Sequence, residues 1–321
     1  MRNGFDGRRR AVVTGGAGFL GSHLCDTLVA ADYHVTCIDN LETGKRINVE
    51  QLREIPQFRF IEGDVSEGLE LAEPIDIIYH FAAPTTPSDY LLDPVETMRM
   101  ASQGTWNALD LARSRQARFV LASTSEVYGP PGSGPTHEDD TGNVNPVTTY
   151  GAYYECRRFS EALTATYRMT YNVRTAIARI FSTYGPRMRL DDGRILARFL
   201  RQALSGAPLT VPVSGSRTRS MCYVDDVVAA LTTLADGSYP GPVNIGSPEE
   251  MSLFSIAKHV QEAIGPESQI TFVDTPTDDS AGRSPDIRMA AELLDWQPQT
   301  SMTKGLAATV AWFERVGTSR V

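Results

Sequence analysis

Short apolar runs rich in valine and isoleucine alternate with longer amphipathic segments over the first 180 residues of the chain. Such runs predict buried strands, and segments with apolar residues every three to four positions predict helices. The predicted strands are Ala11–Thr14, His34–Ile38, Phe58–Ile61, Ile75–His80, Arg118–Ser123 and Val173–Ile180. The predicted helices are Phe19–Ala31, Val95–Arg113 and Tyr153–Tyr171. This alternation predicts βαβ units that build a doubly wound parallel sheet in an α/β fold.

The pattern changes near residue 183, where shorter elements separated by prolines begin. The predicted helices there are Ile195–Leu204 and Ser252–Ile264, and the predicted strands are Val243–Ile245 and Ile270–Val273. A chain of 321 residues is long enough for one large domain or two fused domains. We therefore expect residues 1–182 to form the sheet domain and residues 183–321 to form a smaller α+β lobe, with some of its chain returning to the first domain.

Composition and charge narrow the functional classes. Apolar residues make up 41% of the chain and charged residues 21%, as in soluble globular proteins. The net charge of −9 lacks the basic footprint of a nucleic-acid binder, and no apolar run is long enough to cross a membrane. The N-terminal arginines precede no long apolar segment, and the four cysteines form no CxxC pair. We expect a cytoplasmic protein without a metal site.

Glycines crowd the junction of the first predicted strand and the first predicted helix, in the sequence GGAGFLG at residues 15–21. This spacing satisfies the GxGxxG pattern, whose glycines permit a tight turn and close approach of a pyrophosphate to the backbone. The helix N-terminus then directs amide groups and a partial positive charge at the phosphates. The sequence therefore predicts a Rossmann-type dinucleotide site, with contacts from Gly15, Gly18, Phe19, Leu20 and Gly21.

The second predicted strand is followed by Asp39, about 20 residues past Gly18, where dinucleotide-binding folds carry an acid for the ribose 2′-hydroxyl. A carboxylate at this position repels a 2′-phosphate, so the sequence favours NAD over NADP. Lys45 and Arg46 are evidence for NADP, because they offer positive charge to such a phosphate. We interpret residues 43–45 instead as a solvated turn.

Polar residues with catalytic chemistry follow the predicted strand at residues 118–123. Thr124, Ser125 and Glu126 lie at its carboxyl end, where ligands bind in such sheets. Tyr153 and Arg157 are four residues apart, which places them on one face of a helix. We expect the cation to lower the phenol pKa of the tyrosine and to make it a usable base.

These features together resemble the extended short-chain dehydrogenase/reductase superfamily, over nearly the whole chain. The resemblance is closest to the UDP-glucuronate decarboxylases, which are UDP-xylose synthases. The segments that carry it are GGAGFLGSHLCD (15–26), LASTSEVYG (121–129), GNVNPV (142–147), RIFSTYGPRM (179–188), SRTRSMCYVDD (216–226), GPVNIGSPEE (241–250) and SPDI (284–287).

The resemblance implies roles for individual residues. Tyr153 would deprotonate the C4 hydroxyl of the sugar while NAD accepts the C4 hydride, and Thr124 would bond that hydroxyl. Ser125 and Glu126 would lie near the sugar carboxylate and C5, and Arg283 would assist substrate binding and protonation. The implied substrate-binding residues are Pro84, Ser182, Arg187, Arg219, Tyr223 and Arg283, with Arg219 on the diphosphate. The implied cofactor-binding residues beyond the glycine-rich turn are Asp39, Asn40, Gly44, Asp64, Val65, Ala82, Tyr153 and Arg157.

The reaction of this family explains why these residues would occur together in one site. Oxidation at C4 makes a β-keto acid, which loses carbon dioxide because the ketone stabilises the resulting enolate. Protonation at C5 and return of the hydride then give NDP-xylose from UDP- or dTDP-glucuronate. Release of an NDP-4-keto-pentose stays open as a second outcome. The family also implies a homodimer through the helices predicted at Val95–Arg113 and Tyr153–Tyr171.

The sequence departs from the family at four positions and leaves two other functions open. Arg157 replaces a lysine, Ala101 and Ser182 replace asparagines, and Phe81 occupies the place of a shorter residue. An NDP-sugar 4-epimerase or 4,6-dehydratase is one alternative, although dehydratases carry Asp-Glu where this chain has Ser-Glu at residues 125–126. A dinucleotide-sensing protein without turnover is the other. For Asp64 and Val65, a turn capped by the aspartate is the alternative to contact with adenine.

Overall fold

A computed structural model describes residues 7–130, 132, 134–213, 217–265, 267–274 and 282–317. Its strands are β1 Arg10–Thr14, β2 His34–Asp39, β3 Phe58–Glu62, β4 Ile77–His80, β5 Arg118–Thr124, β6 Thr175–Ile180, β7 Thr183–Tyr184, β8 Leu209–Pro212, β9 Thr218–Ser220, β10 Cys222–Tyr223, β11 Val243–Ile245, β12 Glu250–Ser252 and β13 Ile270–Val273. Its α-helices are α1 Phe19–Ala30, α2 Pro87–Tyr90, α3 Pro94–Arg115, α4 Gly151–Tyr171, α5 Ile195–Leu204, α6 Val224–Asp236, α7 Leu253–Ile264, α8 Arg288–Leu294 and α9 Met302–Val316. The predicted strands and helices are confirmed, with ends that differ by at most two residues.

Seven strands form the central sheet in the order β3-β2-β1-β4-β5-β6-β11, and every pairing is parallel. Alternate residues of β1 pack in two different hydrophobic cores, one on each face of the sheet. Val13 packs in the core that contains Leu24 of α1, whereas Val12 packs with Leu109 of α3 and Leu163 of α4. Helices therefore cover both faces, which is why the middle residues of the central strands β1, β4 and β5 are apolar. The prediction of a doubly wound α/β sheet is confirmed.

The order of the sheet determines where a ligand can bind. The chain passes from β1 outward to β3 and then returns to β4 on the other side of β1. At such a reversal the loops beyond the carboxyl ends separate and leave a crevice. The glycine-rich turn after β1, the segment after β4 and the tip of β5 all reach this crevice.

The second half of the chain forms short strand pairs and the helices α5 to α9. The pairs are β7 with β10, β8 with β13 and β9 with β12. One strand from this half, β11, joins the edge of the central sheet beside β6. The division into domains at residue 182 stays a prediction. Among the described helices, none has the length and apolarity that crossing a membrane requires.

A polar contact between distant segments brings the chain near residue 283 to the sheet. Thr136 forms an isolated bridge with Pro285, with hydrogen bonds from Thr136 N to Ser284 O (2.9 Å) and from Asp286 N to Thr136 O (2.8 Å). The side-chain amide of Asn244, in β11, also donates to Thr136 O at 3.0 Å. These bonds hold the adjoining Arg283 beside the tip of β5.

A partly buried ion pair holds α4 against the sheet and leads to a stability prediction. Arg179 of β6 donates to both carboxylate oxygens of Glu161 at 2.8 and 3.0 Å, and Ser123 donates to one of them at 2.6 Å. Glu161→Ala would remove the carboxylate partner of the partly buried Arg179, which keeps its bonds to Tyr128 and Glu138, so we expect a loss of about 2 kcal/mol in the free energy of unfolding. Urea denaturation measures it, with Glu155→Ala as the control.

Glu155 is a matched control because it lies on the same helix but forms only an exposed pair with Arg158, at 3.8 Å. Its removal should cost less than about 0.5 kcal/mol. Equal losses in the two variants would show that burial does not determine how much the Glu161–Arg179 pair contributes to the free energy of unfolding.

Candidate active site

A cavity of about 910 Å³ opens at the carboxyl ends of β1, β4 and β5, between the sheet and the second half of the chain. Most of the predicted site residues line this one space. They are Gly15, Gly18, Phe19, Leu20, Gly21, Asp39, Asn40, Asp64, Val65, Ala82, Pro84, Thr124, Ser125, Glu126, Tyr153, Arg157, Ser182, Arg187, Arg219 and Arg283.

Two of the predicted residues lie outside the cavity wall. Gly44 is adjacent to the site, because a Cβ at this position would be 2.6 Å from a carboxylate oxygen of Asp39. Tyr223 is buried in the second half of the chain, where its ring contacts Tyr184 at 5.6 Å between centroids. The structure therefore does not bring Tyr223 to the other predicted substrate-binding residues.

The glycine-rich turn has the shape that a diphosphate requires. Gly15 has φ +70°, and a Cβ there would be 2.8 Å from the backbone nitrogen of Ala82. Gly18 is the N-cap of α1 and supplies no side-chain cap, unlike Asp93 at the start of α3. The first-turn amides of α1 thus lack the side-chain acceptor that a capping residue provides, and α1 has no acid in its first turn. These features fit a dinucleotide whose phosphates accept from the helix N-terminus.

The carboxylate of Asp39 is held at the end of β2. It accepts from the backbone amides of Ala17 and Leu41, both at 2.9 Å. Burial raises the pKa of Asp39, and these amide hydrogen bonds oppose the increase. Arg46, which is a candidate for binding a 2′-phosphate, pairs with Glu62. The geometry fits a ribose diol on Asp39 better than a phosphate.

The segment after β3 forms the capped turn, and contact of its residues with adenine stays a prediction. Asp64 accepts from the amide of Ser66 at 2.7 Å and from its hydroxyl at 2.6 Å, which is a turn capped by the aspartate. Asp64 and Val65 also line the cavity. The capped turn therefore places these residues at the cavity wall.

The tip of β5 directs Glu126 into the cavity. The hydroxyl of Thr124 caps the short 3-10 helix Ser125–Tyr128 by accepting from the amide of Glu126 at 3.3 Å. Thr124 also acts on Tyr153, where it opposes the increase that burial causes in the pKa of the phenol. Ser123 donates to Glu161 instead, so its hydroxyl has a structural partner.

Tyr153 and Arg157 lie on one face of α4, as the spacing predicts. The guanidinium carbon of Arg157 is 5.5 Å from the centre of the Tyr153 ring, and its Nη2 donates to Pro84 O at 3.4 Å. Burial raises the pKa of Tyr153, and the charge of Arg157 only opposes that increase. The expectation that the cation makes the net pKa lower is wrong here, because the loss of water around the phenol outweighs one nearby charge.

Glu126 and Arg283 are neighbouring charged residues of the cavity, at the tip of β5. Arg283 donates to the backbone carbonyl of Ser125 at 2.6 Å, which places its charge beside Glu126. Burial raises the pKa of Glu126, and the charges of Arg283 and Arg219 and a hydrogen bond from Tyr154 oppose it. A partly buried carboxyl with a raised pKa is suited to giving or taking a proton near neutrality.

The comparisons with known proteins agree with this geometry. Residues 11–246 match the model of the NAD dependent epimerase/dehydratase family. The chain belongs to this family. It is 45% identical to UDP-glucuronic acid decarboxylase 4 of Arabidopsis thaliana, over 95% of this chain and 69% of that protein. It is 41% identical to UDP-glucuronic acid decarboxylase 1 of Xenopus tropicalis, over 96% of this chain and 73% of that protein.

A solved structure of the same family gives a similar result. The UDP-glucuronic acid 4-epimerase of Bacillus cereus, in complex with UDP-glucuronic acid and NAD, is 28% identical to this chain. The superposition covers 96% of this chain and 99% of the epimerase, with a TM-score of 0.81. Membership of the extended short-chain dehydrogenase/reductase fold is therefore established by sequence and by structure.

Two tyrosines of this family member were not predicted from its sequence. Tyr90, on the four-residue helix α2, stacks on Tyr153 with 4.3 Å between ring centroids and 6° between planes. Tyr154 opposes the increase that burial causes in the pKa of Glu126. Neither has a sequence signal, because adjacent helical residues do not share a face and a contact from α2 spans more than 60 residues. Only their position near the motifs could have suggested them.

Arg187 lies on the cofactor side of the cavity. Its Nη2 donates to Asp26 of α1 at 2.6 Å, and its Nη1 is buried without a hydrogen-bond partner among the described residues. The sequence resemblance implied a substrate contact. Its position beside α1 equally suits the phosphates of a dinucleotide.

Proposed function

We propose that this protein decarboxylates a nucleotide-activated glucuronic acid, UDP- or dTDP-glucuronate, to the corresponding NDP-xylose with NAD as a recycled cofactor. The observation that carries the proposal is the convergence of Glu126 and Arg283 beside Tyr153 and Thr124. This arrangement offers oxidation chemistry at one carbon of a sugar and charged groups for a carboxylate two carbons away. The identity to decarboxylases over nearly the whole chain supports it.

In the first step Tyr153 removes the proton of the C4 hydroxyl, while Thr124 orients that hydroxyl. Arg157 stabilises the phenolate that Tyr153 must form, which is needed because burial raises the pKa of this phenol. A bound NAD would supply the acceptor for the C4 hydride and the means of returning that hydride to the same carbon. The sugar is then a 4-keto acid.

In the second step the C5–C6 bond breaks and carbon dioxide leaves. The electron pair of that bond moves onto the C4 carbonyl as an enolate, which Tyr153 and Thr124 stabilise by hydrogen bonding. Glu126 then gives C5 a proton, and Arg283 stabilises the carboxylate that remains. Arg219 and Ser182 face the same cavity and would hold the diphosphate of the substrate.

A substrate panel tests the proposal. UDP- and dTDP-glucuronate should release carbon dioxide and give a pentose without net consumption of NAD if the cycle completes. Formation of the galacturonate epimer would support a 4-epimerase, and a 4-keto-6-deoxy sugar from an NDP-glucose would support a dehydratase. Binding of NAD with no turnover of any substrate would favour a dinucleotide sensor. Mass spectrometry separates these outcomes.

Asp39 leads to a prediction about the cofactor. We expect NAD to bind at least about tenfold more tightly than NADP, because a buried carboxylate repels a 2′-phosphate and Arg46 is occupied by Glu62. Calorimetry on protein stripped of nucleotide measures both affinities. Asp39→Asn should reduce the difference between the NAD and NADP affinities, because it removes the carboxylate charge that repels the 2′-phosphate. Equal affinities in the wild type would refute the role given to Asp39.

We also propose that the protein forms a homodimer through α3 and α4. Both α3 and α4 expose large apolar side chains, which a second copy of the chain would cover. They are Val95, Met98, Trp106, Phe159 and Met169. Sedimentation equilibrium distinguishes a dimer from a monomer.

A further inference from the structure

The four-residue helix α2 carries the ring that lies against the proposed base. Tyr90, its last residue, stacks on Tyr153 with 4.3 Å between ring centroids and 6° between planes. The five residues that follow α2, 91–95, are all exposed, so the chain beyond the helix does not anchor it. A helix of one turn is also marginal in isolation. The position of the Tyr90 ring therefore depends on the contacts that α2 makes with other elements.

Asp89, the neighbour of Tyr90 on α2, is held by a cation from the second half of the chain. Arg189 donates from Nη1 to both carboxylate oxygens of Asp89, at 2.8 and 2.9 Å. The hydroxyl of Thr86 donates to the same carboxylate at 2.6 Å. The side chains of Arg189 and Asp89 are 21% and 14% exposed, so salt and water screen this pair less than a surface pair. Both residues line the cavity, one from each half of the chain.

The backbone that presents Arg189 is fixed by packing. Met188 and Leu190 are buried in the larger hydrophobic core, whereas Arg187 and Arg189 line the cavity between them. Through these two arginines, residues 187–190 form ion pairs with both α1 and α2. Side chains in a close-packed core move little, so the guanidinium of Arg189 extends from a rigid segment. The ion pair thus fixes α2 relative to that segment.

We propose that Asp89 and Arg189 are positioning residues of this site, and that their ion pair holds α2 where Tyr90 stacks on Tyr153. The stacked ring covers one face of the phenol and so limits where its ring and oxygen can lie. The inference rests on the proposed function for the identity of the proton that this oxygen removes. A misplacement of about 1 Å in a reacting group slows a reaction by as much as about a hundredfold.

Arg189 has a second partner, which supplies the matched control. Its Nε and Nη2 donate to Asp191 at 2.9 and 3.3 Å, and the side chain of Asp191 is 62% exposed. Asp191→Asn therefore removes one carboxylate from Arg189 and leaves the bonds to α2 in place. Asp89→Asn removes the other carboxylate, on α2, and replaces one acceptor oxygen by an amide donor. The same substitution around one cation thus separates the link to α2 from the charge balance of Arg189.

The first measurement detects the ring stack in the protein without substrate. A ring that stacks face to face shifts the NMR signals of its neighbour upfield, so protein with carbon-13 in the tyrosine rings reports the contact. Tyr153→Phe assigns the Tyr153 signal, and Tyr90→Leu gives its position without the stack. We expect Asp89→Asn and Arg189→Met to move the Tyr153 signal most of the way to that position. Asp191→Asn should leave it at the wild-type shift.

The second measurement is carbon dioxide release from UDP- or dTDP-glucuronate. Asp89→Asn and Arg189→Met should each lower kcat about tenfold with KM within about threefold, because the stack orients the base and does not bind the sugar. The double variant should lose no more than either single variant, since each of them already removes the whole pair. Asp191→Asn should keep the wild-type kcat.

A Tyr153 signal that stays at the wild-type shift in Asp89→Asn or in Arg189→Met overturns the inference, and so does an equal displacement in Asp191→Asn. A rise in KM confined to Arg189→Met also overturns it, because the guanidinium would then bind the ligand directly. If Asp89→Asn does not fold, Arg189→Met gives the answer from the other side of the pair. Because the signal is measured without substrate, a wild-type protein that releases no carbon dioxide would refute the proposed function alone.

Discussion

Glu126→Gln should lower kcat for carbon dioxide release by at least about a hundredfold and leave the fold intact. Glutamine has nearly the same shape, but it cannot give a proton to C5. General acid–base catalysis of this kind contributes about a hundred- to ten-thousandfold. Single-turnover measurement of carbon dioxide release with UDP- or dTDP-glucuronate gives the rate. Glu155→Gln, on the exposed face of α4, is the control and should keep the wild-type rate.

Arg283→Ala should produce a similar loss for a different reason. Its guanidinium carries the positive charge beside Glu126 and donates to the carbonyl of Ser125. Without it the sugar carboxylate loses a binding partner and the Glu126 carboxylate loses a stabilising charge, so we expect KM to rise and kcat to fall. Wild-type rates in both Glu126→Gln and Arg283→Ala would contradict the decarboxylation mechanism.

The features predicted correctly from the sequence are those that local pattern determines. Buried parallel strands are apolar on both faces, so they appear as continuous runs, and the glycines of residues 15–21 are required by the backbone itself. The position of Asp39 at the end of β2 was predictable because it follows a strand at a distance that the βαβ unit determines, whereas its contact with the ribose stays a prediction. Each of these signals arises within about 40 residues of chain, where spacing in sequence and position in space are closely related.

The features that were not predicted from the sequence depend on contacts between segments that are distant along the chain. The stacking of Tyr90 on Tyr153 needs the exact path of the chain after β4, and the position of Arg187 depends on its ion pair with Asp26. The net pKa of Tyr153 depends on how completely the fold excludes water, which no spacing encodes. The sequence thus identified the cation beside the phenol but could not compare its effect with that of burial.

Arg157→Lys should shift the products toward fully reduced NDP-xylose. Lysine supplies a compact ammonium, whereas the guanidinium of Arg157 is planar and larger and directs Nη2 at Pro84 O, 3.4 Å away. The Nε of Arg157 is buried without a hydrogen-bond partner among the described residues. One pKa unit at Tyr153 corresponds to about 1.4 kcal/mol, and a small misplacement of the reacting groups slows transfer strongly.

The order of oxidation, decarboxylation and hydride return determines which pentose the protein releases. Oxidation and decarboxylation need the hydride to leave the sugar once, but completion needs the 4-keto pentose to stay in place until the hydride returns. We therefore expect the wild-type protein to release some NDP-4-keto-pentose and to leave NADH behind. The ratio of reduced to keto product should increase on the order of tenfold in Arg157→Lys, because the smaller cation restores closer placement of the phenol and the cofactor.

Chromatography with mass detection on both proteins, together with absorbance of NADH, measures this ratio. Arg158→Lys makes the same chemical change one residue along α4, where the side chain donates to the backbone carbonyls of Val127 and Thr141. It should leave the ratio unchanged. If the wild type gives only the reduced pentose and no NADH accumulates, then Arg157 replaces lysine without loss, and the guanidinium places the reacting groups as well as an ammonium does.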